Sequence, residues 1–158
     1  MHLKPGVYIE TSVVSYLTAR SSSKPVAFAH QEVTRNWWKI ERPKFELFTS
    51  EITLTEARSG NLEAAQNRMT VLENIPLLLI TENVTIIAES LLINKALPTT
   101  ALPDALHIAV AAANAMEYIL TWNFKHIANA SMKHTIERVC RECGVECPVI
   151  CTPEELFL

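Results

Sequence analysis

A chain of 158 residues with 49 % hydrophobic and 20 % charged side chains is long enough to bury a core, and its composition excludes a disordered tail. No apolar run approaches the roughly 20 residues of a membrane span, and the first ten residues lack the apolar stretch of a secretory signal, so a cytoplasmic protein without a membrane partner is expected. The net charge of −3 supplies no global basic field, so a nucleic-acid partner would require a local basic rim or bound metal.

In chain order, Val7 to Ile9 reads as a short buried strand ending at Glu10. Thr11 or Ser12 is then a helix cap before the periodic Val13, Val14, Tyr16 and Leu17. The pattern predicts a helix over Val26–Ile40 stopped by Pro43, and a strand over Phe45–Thr49. Ser50–Ala57 is ambiguous, since Ile52 and Leu54 alternate while Ser50 caps; helix is preferred. Asn61–Leu72 follows as a helix and Pro76–Ile80 as a third strand. Beyond the helix Asn83–Asn94, Pro103 suits the first turn of a helix reaching about Met116. Tyr118–Thr121 is a fourth strand and Trp122–Asn129 a loop. A helix over Met132–Cys143 stops near Gly144, and Val149–Cys151 is a fifth strand. The alternation predicts one α/β domain over 1–158, a three-layer α/β/α arrangement with a mostly parallel sheet of about five strands. Ligands of such sheets bind beyond the carboxyl ends of strands, which points to Glu10, to Ser50–Glu56 and to Asn123.

Of the 17 acidic residues, sixteen are Glu and one is Asp, Asp104. It stands at the start of a helix that is apolar nearly all round, with His107 and Asn114 as the other polar exceptions on the same side. Alone, Asp104 would merely complement the helix dipole. It is accompanied by Glu10 after the first strand, Glu56 after the second and Asn123 after the fourth. Carboxylates delivered from strand ends and helix starts suit a hard divalent ion, which phosphodiester hydrolysis needs to cancel phosphoryl charge and activate water. Without metal such a cluster repels itself, so at least one carboxyl pKa is expected to rise.

Four segments carry a family resemblance. Val-Tyr-Ile-Glu-Thr-Ser-Val-Val-Ser-Tyr-Leu (7–17) and Ser50–Glu56 look like the first two motifs of the PIN-domain family. Leu-Pro-Asp-Ala-Leu-His-Ile-Ala (102–109) resembles the third, and Ile-Leu-Thr-Trp-Asn-Phe-Lys-His-Ile-Ala-Asn (119–129) the segment of the fourth. The resemblance implies a PIN-like fold and a Mg²⁺- or Mn²⁺-dependent ribonuclease of the VapC-like toxin type, with RNA as substrate, an antitoxin protein as partner and a homodimeric state. It makes Glu10, Glu56 and Asp104 metal-site acids, with Asn123 in the catalytic set. Two positions depart from the family pattern. Glu10 stands where Asp is usual and is one methylene longer, and Asn123 replaces an acid with a neutral amide.

Thr11, Ser12 and Thr121 either cap elements or orient a carboxylate or a water. Arg58, Lys125 and His126 flank the acids and either contact phosphate or pair locally. His107 reads as a hydrogen-bonded core histidine in preference to a general base. Cys140, Cys143, Cys147 and Cys151 match no common zinc spacing and read as buried thiols. Of the adjacent Trp37 and Trp38, one is expected in the core and the other at a partner surface. With glycine only at positions 6, 60 and 144, the Rossmann fingerprint and the P-loop are absent, and neither an aspartyl nucleophile nor a serine elbow is present. The competing reading is a PIN-like module that binds RNA or protein without cutting.

Overall fold

Four short strands, β1 (Gly6–Ile9), β2 (Glu46–Phe48), β3 (Tyr118–Leu120) and β4 (Val149–Cys151), form one parallel sheet in the order β2-β1-β3-β4. The computed structural model describes residues 3–158. Tyr8 lies opposite Phe48 on one side and Ile119 on the other, and Leu120 lies opposite Cys151. The chain leaves β1 towards β2, then crosses to β3 on the far side of β1. The order therefore reverses between β1 and β3, where α/β sheets open a crevice at their carboxyl ends.

The period-2 alternation of the strands divides the core in two. Tyr8 and Ile119 pack against α5 (Glu82–Ile93), α6 (Leu102–Ala113) and α7 (Ala130–Glu142). Val7, Ile9, Leu47, Leu120 and Cys151 pack on the opposite face against α1 (Thr11–Thr18), α2 (Pro25–Ile40), α3 (Glu51–Ala57) and α4 (Leu62–Leu72). The ambiguous Ser50–Ala57 segment is thus a helix. Helix α6 is apolar on nearly every side because it is sandwiched: Ala105 and Ile108 through Ala112 are all buried. Its positive-φ exit at Ala115 and the Met116 N–H to Ala111 carbonyl bond (3.0 Å) end it before Met116.

Two expectations are corrected. The sheet has four strands, because Pro76–Ile80 pairs with β2 only through one bridge, Thr49 to Leu77. Pro76 has no N–H to give a ladder. Pairing with the chain after β2 consists of the Thr49 N–H to the Pro76 carbonyl (3.0 Å) and the Leu78 N–H to the Thr49 carbonyl (2.8 Å), because Ser50 then turns away into the cap of α3. The cap of α1 is Glu10, not Thr11 or Ser12: its carboxylate accepts the Ser12 N–H at 3.1 Å.

Trp37 is buried and its indole N–H donates to the Leu156 carbonyl at 2.7 Å. Trp38 is half-buried beneath the Arg42 guanidinium, 4.9 Å from the ring centre. Cys140 belongs to one core and Cys151 to the other, on opposite faces of the sheet, so the four thiols do not converge on a single ion.

Candidate functional site

The first strand delivers Glu10 to the crevice, and the sheet's burial leaves it only 4 % exposed. A buried carboxylate is costly unless hydrogen-bonded, and here one oxygen carries the whole burden. Oε2 of Glu10 accepts from the Ser12 backbone N–H, from the Ser12 hydroxyl and, at 2.7 Å, from the Thr121 hydroxyl. Oε1 accepts from no described residue. Glu56, on the last turn of α3, repeats the arrangement: its Oε1 accepts from the Thr11 hydroxyl at 2.6 Å and from the His107 Nε2 at 2.5 Å, and its Oε2 accepts from none of the described residues. Thr11, Ser12 and Thr121 therefore orient carboxylates, and the cap of α1 is Glu10 itself.

His107 is fully buried on α6, and its two nitrogens are both engaged. A carboxylate can only accept, so Nε2 carries the proton towards Glu56; Nδ1 then accepts from the Tyr8 hydroxyl at 2.7 Å. Tyr8 in turn lies 2.7 Å from the Ser50 hydroxyl and 3.2 Å from that of Thr53. The result is a buried chain from Ser50 through Tyr8 and His107 to Glu56. Burial pushes the Tyr8 phenol well above its ordinary range despite the Ser50 and Thr53 hydrogen bonds, so it stays a neutral donor. The expected rise of a carboxyl pKa is not found at Glu56. Burial would raise it, but the hydrogen bonds from His107 and the Thr11 hydroxyl together hold it below the ordinary carboxylate value.

One turn earlier on α6, Asp104 heads a second group. Its Oδ1 accepts from the Asn123 side-chain amide at 3.1 Å and its Oδ2 from His126 Nδ1 at 2.7 Å. Asn123 also accepts the His126 backbone N–H at 3.1 Å, and its own N–H reaches the Thr121 hydroxyl at 3.0 Å. The two groups are thereby joined: Asp104 to Asn123, Asn123 to Thr121, and Thr121 to Glu10.

Among the described residues, ligand atoms of Glu10, Glu56 and His107 lie within 4.8 Å of one another, and Asp104 is not in that group. The structure thus brings Glu10 and Glu56 together and places Asp104 and Asn123 beside them. Arg58 is turned to Glu51 at 3.2 Å, both side chains being more than half exposed, and Lys125 is exposed on the 122–129 loop. Tyr8 and Thr53 are the polar residues that the sequence reading does not single out, although both lie within the first two motif segments. The signal for Tyr8 is a phenol in an otherwise aliphatic buried strand, which must find a partner.

Comparison with known proteins gives a fold. No protein-family model matches the chain, and no curated relative matches it. The VapC20 toxin of Mycobacterium tuberculosis, described as cleaving the Sarcin-Ricin loop, superposes with a TM-score of 0.59 at 16 % identity, over 78 % of this chain and 95 % of that one. The structure of FitAB bound to an IR36 DNA fragment superposes with a TM-score of 0.56 at 15 % identity, over 96 % of this chain and 98 % of that one. This chain has the PIN fold. Within the PIN fold, Glu10, Glu56, Asp104 and Asn123 all rim the carboxyl edge of the sheet, and at such low identity their chemistry rests on this chain's own side chains. Among the described residues no helix is long and apolar enough to cross a membrane.

Proposed function

We propose that the protein is a divalent-metal-dependent ribonuclease that hydrolyses RNA phosphodiesters with water, acting as the toxin of a toxin–antitoxin pair. The observation that carries this reading is the paired geometry of Glu10 and Glu56, each with one oxygen tied to protein donors and the other left uncommitted. Oxygen donors of this kind fit Mg²⁺ or Mn²⁺, and outer partners that fix a ligand's orientation are what a metal site needs. Bound there, the ion would supply charge cancellation on the phosphate and a water of lowered pKa.

Glu10 and Glu56 would hold the ion, with Asp104 as the third acid. Ser12 and Thr121 fix Glu10, and Thr11 and His107 fix Glu56. Asn123 supplies an amide that steadies Asp104 without adding charge. Asp104 accepts the Nδ1 proton of His126 and so orients the ring, and a second proton on Nε2 would let it donate to a phosphate oxygen. Lys125 and Arg58 contribute the local basic rim that the net charge of −3 does not. The toxin role is supported by the fold shared with VapC20, described as a toxin, and with FitAB. An antitoxin partner, a homodimer and a cytoplasmic setting belong to the same reading.

A second reading, a PIN-fold module that binds without cutting, is favoured by one observation: both Asp104 oxygens are already engaged by Asn123 and His126. Cleavage of a pool of structured and single-stranded RNAs, with and without Mg²⁺ or Mn²⁺, separates the two. Metal-dependent cleavage that disappears in Asp104→Asn supports the nuclease. Absence of cleavage by folded protein with either metal favours the module.

A further inference from the structure

The loop that follows β3 carries an exposed aromatic ring. Phe124 comes one residue after Asn123, whose amide holds Asp104, and is 50 % exposed. It is not a loose side chain. Its ring leans on Trp122 and His30 at centroid separations of 6.1 and 6.0 Å, tilted by 68° and 52°. His30 is itself stacked on Trp122 at 4.1 Å, and Tyr16 meets both edge-on or nearly so. The Trp122 indole N–H is anchored on the Thr34 hydroxyl at 2.8 Å. The loop backbone is fixed as well: Trp122 N–H donates to the Ser12 hydroxyl at 2.8 Å and Ala128 N–H to the Asn123 carbonyl at 2.8 Å. Tilted contacts along one side of the ring leave ring surface free for another planar group.

Two further features give that surface a chemistry. Phe124 also lines a cavity of about 210 Å³ with Ile127, Ala128, Lys133 and Ile150. That is below the ~300–1,000 Å³ of a drug-sized ligand site and suits one planar ring. Lys125 and Lys133 are exposed, and neither forms an ion pair with a described residue. An aromatic face flanked by uncommitted cations is the pattern by which proteins hold single-stranded nucleic acid: bases stack and the backbone follows the charge.

We propose that Phe124, braced by Trp122 and His30 and flanked by Lys125 and Lys133, is a stacking site for an unpaired base of single-stranded RNA whose backbone runs on into the carboxylate crevice. A duplex keeps its bases stacked on one another and has none to offer the ring. The site deepens the ribonuclease reading and rests on it for the choice of RNA.

The test is binding of a fluorescent twelve-nucleotide single-stranded RNA in EDTA, where no metal-dependent cleavage proceeds. Phe124→Ala is expected to weaken binding by about five- to 150-fold, the span of ~1–3 kcal/mol per stacked base. Phe124→Tyr should restore it, and Phe157→Ala, which removes a still more exposed ring elsewhere, should leave it unchanged. Lys133→Ala should flatten the salt dependence, and an RNA duplex should show no dependence on Phe124. Equal binding by wild type and Phe124→Ala, no binding by wild type, or an equal loss in Phe157→Ala overturns the stacking site. The nuclease reading fails separately. Phe124-dependent binding without any metal-dependent cleavage would sink the nuclease and leave the stacking site standing, and cleavage with Phe124-independent binding would do the reverse.

Discussion

The two ends of the sheet differ in what they offer a ligand. At the amino end, where β3 and β4 begin, lies a cavity of about 600 Å³ lined by residues such as Ala112, Met116, Glu117, Tyr118, Val145 and Cys147. It is lined by two carboxylates, Glu117, whose Oε2 accepts the Gly6 backbone N–H at 2.6 Å, and Glu146, and among the described residues they belong to no group of ligand atoms that converges with a third. The carboxyl end joins Glu10, Asp104, Asn123 and His126 in one hydrogen-bonded network and sets the Glu56–His107 pair close to Glu10. Volume alone is thus a poor guide to chemistry. Convergent polar groups whose orientations are fixed by neighbours are the better one.

The contrast is broken most directly by removing an acid from the carboxyl end. Glu56→Gln should reduce metal-dependent RNA cleavage to background, whereas Cys147→Ser, at the amino end, should leave it at the wild-type rate; the same gel assay reads both. Removing an orienting group is expected to cost less. His107→Gln should weaken Mn²⁺ binding about 10- to 100-fold in a calorimetric titration, and Tyr8→Phe, which leaves the imidazole in place, should cost less than His107→Gln. Smaller still is the stabilisation by metal. At a hundredfold excess over its dissociation constant, Mn²⁺ should stabilise the fold by about 2.7 kcal/mol, seen as a rise in Tm that Glu10→Ala does not show.

A further effect concerns the sheet between the two ends. Burial first, and the charge of Glu155 second, push the Cys151 thiol up to about 12. A raised pKa means the unfolded chain loses this proton first. The contribution is therefore intact below the unfolded thiol value of about 8.5 and is lost as pH rises from there through about 12. Urea melts of wild type against Cys151→Ala between pH 8 and about 11 should show the steeper decline in wild type.

Much of this layout was legible in the sequence. Alternating apolar runs placed Glu10, Glu56 and Asn123 beyond strands, and Pro103 with its apolar helix placed Asp104 at a helix start, all on one edge of a parallel sheet. What the sequence could not reveal depends on distant pairing. The Tyr8 to His107 bond joins residues 99 apart, and nothing local states that the tyrosine's partner lies on α6. The division of labour between the two oxygens of each glutamate is likewise a tertiary fact, as is the separation of Asp104 into its own group with His126. The third expected strand failed for a local reason. Pro76–Ile80 has the apolar content of a strand, but its partner chain stops at Thr49, where Ser50 begins the cap of α3.

The most direct test of a metal held by Glu10 and Glu56 is a calorimetric titration of Mn²⁺ into the metal-free wild type, Glu10→Ala and Glu56→Gln. Saturable binding in wild type that is lost in both variants is the predicted result. No binding by wild type, or unchanged affinity in either variant, would contradict the account.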